Sequence, residues 1–185
     1  MTVDSFQEPY LMPKPPKNQE FIPVNIAVLT VSDTRTEETD ISGKALAECL
    51  TGAGHRLAEK IISADDIYQI RAVVSRWIAA PAIDVVLITG GTGVTWRDVT
   101  PEAILPLLDK EITGFGEMFR SVSYQEVQTS ALQSRALAGI ANGTFIFCIP
   151  GSTNACHTAW NHILKYQLDS RHGPCNFVEL MPRLK

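Results

Sequence analysis

The chain has 185 residues, 45% apolar and 19% charged, which suits one folded domain with a sizeable core and excludes a disordered chain. Its formal charge of −4 leaves no basic stripe to track a nucleic-acid backbone, so no nucleic-acid partner is expected. No run of about 18 apolar residues marks a membrane-spanning helix, and no membrane partner is expected either.

Residues 1–23 hold five of the eleven prolines. Pro13, Pro15 and Pro16 forbid a helix and favour an extended segment, either a tail or an arm that wraps a neighbouring subunit. Residues 24–185 then form the domain. Residues 24–31 (VNIAVLTV) are a nearly continuous apolar run, as expected of a strand buried on both faces. Residues 42–53 carry a helical stripe of Ala45, Leu46, Cys49, Leu50 and Ala53, ended by Gly52 and Gly54. Residues 57–62 read as a second strand. Asp66, with Gln69 three residues on, reads as an N-cap and capping box. The helix behind it buries Ile67, Ile70, Val74, Trp77 and Ile78 and stops before Pro81.

Residues 83–89 (IDVVLIT) are a third buried strand running into Gly90-Gly91-Thr92-Gly93. Thr100-Pro101-Glu102 reads as the start of a helix: Thr100 as N-cap, proline in the first turn, an acid near the positive helix end. Pro106 should kink or shorten it. Residues 115–127 are helical, carrying Met118, Phe119 and Val122. Ala141-Asn142-Gly143 predicts a tight hairpin turn, and residues 144–149 (TFIFCI) the next strand. Pro150-Gly151-Ser152 turns the chain into a last helix over about 154–168, burying Ala155, Ala159, Trp160 and Ile163. Strands alternating with helices imply an α/β fold with parallel strands covered on both faces, and the hairpin makes the sheet mixed.

In an open α/β sheet ligands sit beyond the carboxyl ends of the strands. Three strands here end in small or polar residues: Thr30-Val31-Ser32-Asp33, Thr89 through Gly93, and Ile149-Pro150-Gly151-Ser152. Glycines let a backbone approach phosphates, and bare N–H groups favour anions. The loop matches neither the P-loop nor the dinucleotide fingerprint. By itself GGTG serves equally as a tight strand-to-helix turn. Asp98 lies five residues after Gly93 and Asp65 at the end of the preceding strand. Each is either a helix-start acid or one of two carboxylates that hold Mg²⁺ against phosphates. Ser134-Arg135 is either a solvated pair or a phosphate-binding pair. The four cysteines, Cys49, Cys148, Cys156 and Cys175, form no CxxC pair, and His157 and His162 add no metal-finger spacing. With no signal-peptide pattern at the start, they read as reduced thiols of a cytoplasmic protein. Cys156 and His157, adjacent on a helix, point about 100° apart, so Cys156 reads as packing rather than as a nucleophile.

Taken together, ITGGTGVTWRDVTPEAI, GFGEMFR, LQSRALAGI and IPGSTNAC resemble the MoaB/MogA family of molybdopterin-binding proteins, whose fold recurs in gephyrin and the plant molybdenum-insertion proteins. The resemblance runs from about Val24 to Phe177, and QLDSRHGPCNF brings the chain nearer the MoaB branch. It implies a three-layer α/β/α fold with a mostly parallel mixed sheet, a trimer or hexamer, and a part in molybdenum cofactor biosynthesis alongside other enzymes of that pathway. The activity it implies is adenylylation of molybdopterin with ATP and Mg²⁺. On the matching positions it implies Asp65 and Asp98 as the catalytic and metal-binding acids. Gly90, Gly91, Thr92 and Gly93 would form the nucleotide loop, with Pro150, Gly151 and Ser152 its second edge, and Ser134 and Arg135 would bind the pterin. The chain departs from the pattern at Ala64, where proline is common, and at Asn154 and His157, where basic residues are common. These departures support the alternative, a molybdopterin-binding or carrier protein without chemistry.

Overall fold

The computed structural model describes residues 20–184, so the expected tail or arm lies, up to residue 19, outside the described residues. The domain is a six-stranded sheet in the order β2-β1-β3-β6-β5-β4. Its strands are β1 (Asn25–Val31), β2 (Arg56–Ser63), β3 (Val85–Thr89), β4 (Lys110–Glu111), β5 (Leu137–Ala141) and β6 (Thr144–Ile149). β2, β1, β3 and β6 run parallel; β5 and β4 are antiparallel additions at one edge. The apolar runs expected as strands are therefore strands. The hairpin turn also lies where expected, with Asn142 and Gly143 both left-handed at φ 48° and 81°, the conformation a two-residue hairpin needs.

Alternate strand residues face opposite ways, and this divides the core in two. Ile26, Val28, Val85, Leu87, Phe145 and Phe147 pack under α1 (Ile41–Gly52), α4 (Thr113–Val127) and α5 (Thr153–Ala159). Ala27, Leu29, Val86, Ile88, Ile146 and Cys148 pack under α2 (Ile67–Ala79) and α3 (Thr100–Ile104). Both faces of the central strands are thus covered, which is why those strands read as unbroken apolar runs rather than alternating ones. The result is the expected three-layer α/β/α fold.

The helix ends show how the chain is cut. Asp66 caps α2, its carboxylate accepting from the N–H groups of Tyr68 and Gln69 at 3.0 and 2.8 Å. Leu105–Leu107 tightens into a 3₁₀ turn at Pro106, as a missing N–H donor requires. Three expectations change. Thr100 is the first residue of α3 rather than its cap; Val99 holds the cap position, and the Thr100 hydroxyl donates instead to the Gly90 carbonyl at 2.8 Å. Ile67, Ile78 and Ala155, expected buried, are only partly so, while Ile70, Val74 and Trp77 carry the buried face of α2 and Phe115, Phe119 and Ser123 that of α4. The last helix is not continuous: α5 passes through a π turn at Trp160–Leu164 into α6 (Lys165–Gln167).

Candidate functional site

The parallel register aligns Thr30, Thr89 and Ile149 across the sheet, so β1, β3 and β6 end at one rim. There a cavity of about 590 Å³ opens, a size that takes a drug-sized ligand. Asp65, Gly90, Gly91, Thr92, Gly93, Asp98, Ser134, Pro150, Gly151 and Ser152 all line it. Of the predicted catalytic, nucleotide- and pterin-binding residues, Arg135 is not part of the wall, and neither are Asp33 and Ile149 of the strand ends.

The two glycine edges are pressed together. A Cβ on Gly151 would meet the Gly90 Cα at 3.1 Å, and one on Gly90 would lie 2.2 Å from the Val31 carbonyl oxygen. Gly90 also has φ of 107°, so neither the space nor the backbone admits a side chain. Thr100 ties the loop down from behind, its N–H on the Gly91 carbonyl at 2.9 Å. From the other side, the Ser42 hydroxyl donates to the Gly151 carbonyl at 2.8 Å. Ser152 caps α5, its hydroxyl accepting from Ala155 N–H at 3.1 Å. Thr92 lies within this frame with 1% of its surface exposed, and its hydroxyl has no hydrogen-bond partner among the described residues.

The acids stand directly beside the loop: a Cβ on Gly91 would meet Asp65 Oδ1 at 3.2 Å, and one on Gly93 would meet Asp98 Oδ2 at 2.7 Å. Asp65 and Asp33 exchange backbone-to-carboxylate hydrogen bonds, each at 3.1 Å, which joins the tips of β1 and β2. Asp33 is also ion-paired with Arg97. Asp98 folds back over Gly93 and accepts from the Thr95 N–H at 2.8 Å and its hydroxyl at 2.6 Å. Burial raises the Asp65 carboxyl above its usual range and the charge of Asp98 raises it further. Burial also pushes Asp98 up, but the Thr95 hydroxyl and N–H, the Gly93 N–H and the nearby Arg135 outweigh it and hold its pKa low. The pair is therefore split: one carboxylate is well stabilised, and the other is strained by its neighbour.

Arg135 stands behind the loop. Its guanidinium donates to the Gly93 and Asp98 carbonyls, both at 2.6 Å, and to the Glu102 carboxylate. Three of its five N–H donors are thus on protein acceptors that fix the Gly93–Asp98 turn.

Sequence reasoning passed over Arg35, Asp40, Ser42, Glu126 and Thr158, all of which line the cavity. Asp40 had a signal, since an Asp before an apolar stripe reads as an N-cap. It caps α1 through the Gly43 N–H at 2.8 Å and also accepts from Thr30 at 3.0 Å and Lys60 at 3.0 Å. Burial would raise its pKa, and those hydrogen bonds hold it low instead. Glu126 had none: its site is made by α4 meeting α5, where the Asn154 amide and the Thr158 hydroxyl each donate to Oε2 at 2.8 Å. Among the described residues, Arg35 is the only cationic one in a wall that also carries Asp40, Asp65, Asp98 and Glu126.

The cysteines behave as packing. All four are free; Cys156 is buried beside the Thr89 hydroxyl at 3.3 Å, and burial pushes its thiol up to about 11. No group of three or more His, Cys, Asp or Glu fit to hold a metal occurs among the described residues. Among the same residues no helix is long and apolar enough to cross a membrane.

Residues 27–170 match the family model described as "probable molybdopterin binding domain". The chain is 57% identical over 158 residues to molybdenum cofactor biosynthesis protein B of Escherichia coli (strain K12), covering 85% of this chain and 93% of that protein. A crystal structure of a molybdenum cofactor biosynthesis protein B superposes with TM-score 0.81 at 41% identity, covering 90% of this chain and 98% of the other. The tungsten cofactor synthesizing protein MoaB from Pyrococcus furiosus superposes with TM-score 0.69 at 39% identity, covering 77% and 91%.

Proposed function

Since the chain belongs to the MoaB/MogA family of molybdopterin-binding, molybdenum cofactor biosynthesis proteins, we propose that its cavity binds molybdopterin together with ATP and Mg²⁺ and transfers an adenylyl group to the pterin. An oxygen of the pterin's terminal phosphate attacks the α-phosphorus of ATP, the bond from that phosphorus to the bridging oxygen breaks, and pyrophosphate leaves. No covalent nucleophile on the protein is needed, because positioning and electrostatics suffice for such transfers.

The observation that carries this reading is the pairing of Asp65 and Asp98 on one wall beside the glycine loop. The wall is rich in carboxylates, and the charge of Asp98 raises Asp65; a polyanionic ligand would be repelled without a cation between. Two hard oxygen donors fit Mg²⁺, which keeps waters and phosphate oxygens for its other positions. Bound there, Mg²⁺ would supply neutralisation of the phosphate charge. The chain's own groups do the rest: the Gly90–Gly93 and Gly151 backbones approach the phosphates, and Arg135 keeps the loop and Asp98 in place. The test is incubation with molybdopterin, ATP and Mg²⁺ followed by detection of adenylyl-molybdopterin and pyrophosphate. Neither product forming, with pterin still bound, would refute transfer.

A second reading, a carrier that holds molybdopterin without chemistry, is favoured by one observation. Arg135 is engaged behind the loop and Asn154 is engaged with Glu126, so among the described residues Arg35 alone brings positive charge to the wall. The same assay separates the two. On the same premise we propose assembly as a trimer or hexamer in the cytoplasm, to be tested by light scattering.

A further inference from the structure

The pairing of β1 with β2 continues past the ends of both strands. Its last backbone rung is the Ser32 N–H on the Ser63 carbonyl at 2.8 Å. The Ser32 hydroxyl then turns the chain, accepting from the N–H groups of Thr34 and Arg35 at 3.2 and 3.3 Å. The next rung is made by side chains. The Asp65 N–H donates to Asp33 Oδ1 and the Asp33 N–H donates to Asp65 Oδ2, each at 3.1 Å. The second oxygen of Asp33 is taken by the Arg97 guanidinium, which also stands over the Trp96 ring at 4.9 Å. Asp33 is thus engaged on both oxygens, and it lies outside the cavity wall.

We infer that Asp33 is a positioning residue for Asp65: it fixes the direction in which Asp65 presents an oxygen to a metal ion, without being a ligand itself. The two acids of the wall differ in what holds them. Asp98 is anchored by its own loop, accepting from the Thr95 N–H and hydroxyl and from the Gly93 N–H. The Asp65 carboxylate has one donor among the described residues, the Asp33 N–H on Oδ2. Its Oδ1 is left toward the glycine loop, where a Cβ on Gly91 would meet it at 3.2 Å. A single donor would leave the carboxylate free to swing, but the reciprocal bond ties the Asp65 backbone to the same residue and closes a ring. Partners of this kind orient metal ligands, and losing one commonly costs about 10–100-fold in metal affinity. Arg97 serves the same end by occupying the Asp33 oxygen that would otherwise be free to turn onto the cation as a third carboxylate. Exposed ion pairs add little stability. With Arg97 48% and Asp33 30% exposed, this pair is suited to holding a direction rather than holding the fold. The inference rests on the reading of Asp65 and Asp98 as Mg²⁺ ligands and names what aims one of them.

The test measures binding of α,β-methylene-ATP, which cannot transfer its adenylyl group, to the full chain by calorimetry, with and without Mn²⁺ in place of Mg²⁺. In wild type Mn²⁺ should tighten binding. Asp33→Ala should lose about tenfold or more of that gain, with the metal-free affinity unchanged and the melting temperature within a few degrees of wild type. Asp33→Asn keeps an oxygen to accept the Asp65 N–H and should recover most of the gain. An Asn variant that falls as far as the Ala variant would show that Asp33 acts by its charge or as a ligand, and overturns the inference. So does a fall in metal-free affinity in step with the melting temperature, which would make Asp33 a part of the frame only. A Mn²⁺ gain that Asp33→Ala leaves intact overturns it as well, and leaves the metal reading standing. A wild type that gains nothing from Mn²⁺ sinks both.

Discussion

Removing Arg135 should cost the protein stability as well as any ligand affinity. The guanidinium makes two short hydrogen bonds to the Gly93 and Asp98 carbonyls and an ion pair with Glu102. Hydrogen bonds from a charged group are worth about 1.5–3 kcal/mol each when well buried. Here the side chain is 33% exposed, and after truncation water can reach the two carbonyls, so both values shrink. The Glu102 pair is half exposed and adds about 0–1 kcal/mol. The expected loss for Arg135→Ala is therefore about 2–3 kcal/mol, a melting-temperature fall of about 4–12 °C for a domain of this size. Arg135→Lys keeps the charge but cannot span both carbonyls, and should recover less than half of the loss. Circular-dichroism melts with urea titrations at constant m-value would measure it. An Arg135→Ala variant that melts with the wild type would show that the side chain does not brace the loop. A loss of pterin affinity at unchanged stability would place its guanidinium on the ligand instead.

Three further outcomes follow from the same geometry. Asp65→Asn and Asp98→Asn should fold and bind pterin yet transfer adenylyl groups slower by about a hundredfold or more, as loss of a charge-stabilising group does; full activity in both would make the acids structural. Gly90→Ala places a methyl 2.2 Å from the Val31 carbonyl at a φ of 107° and should yield little folded protein, which soluble expression and a melt would show. His55 is buried between Phe21 and Trp160, accepts the Val24 N–H at 3.4 Å, and is held below its usual pKa by burial, with Asp169 opposing. A depressed histidine favours its neutral form in the fold, so its stability contribution is fully present above about pH 6.5 and is lost as pH falls through the lower folded value. Urea midpoints of wild type should therefore drop between pH 7.5 and 5 more steeply than those of His55→Phe.

The fold was legible because its determinants are local. The runs at 24–31, 83–89 and 144–149 are apolar on both sides of the pleat, and that pattern marks strands covered on two faces. Asp66 with Gln69, Pro106 and Asn142-Gly143 each fix a boundary within a few residues of themselves. What was missed is also physical. β4 is two residues long, too short for any period to show. Thr100 has every property of a cap, and only the approach of the Gly90 carbonyl, ten residues earlier, draws its hydroxyl elsewhere.

The site was legible in its residues and not in their roles, because a role at this rim depends on which atoms remain unpaired after folding. Arg135 carries the chemistry expected of a phosphate ligand, yet three of its donors are taken by acceptors at positions 93, 98 and 102. Glu126 looks like an ordinary solvated acid on α4, yet two donors from α5 hold one of its oxygens. Thr92 sits in a loop whose glycines draw the attention, yet it is the hydroxyl there that the fold leaves unsatisfied. These contacts join residues 28 to 42 positions apart, beyond the reach of any local period or motif. The glycine string therefore announces that something can approach the backbone, whereas what each neighbouring side chain has left to offer is decided only by contacts that the fold makes.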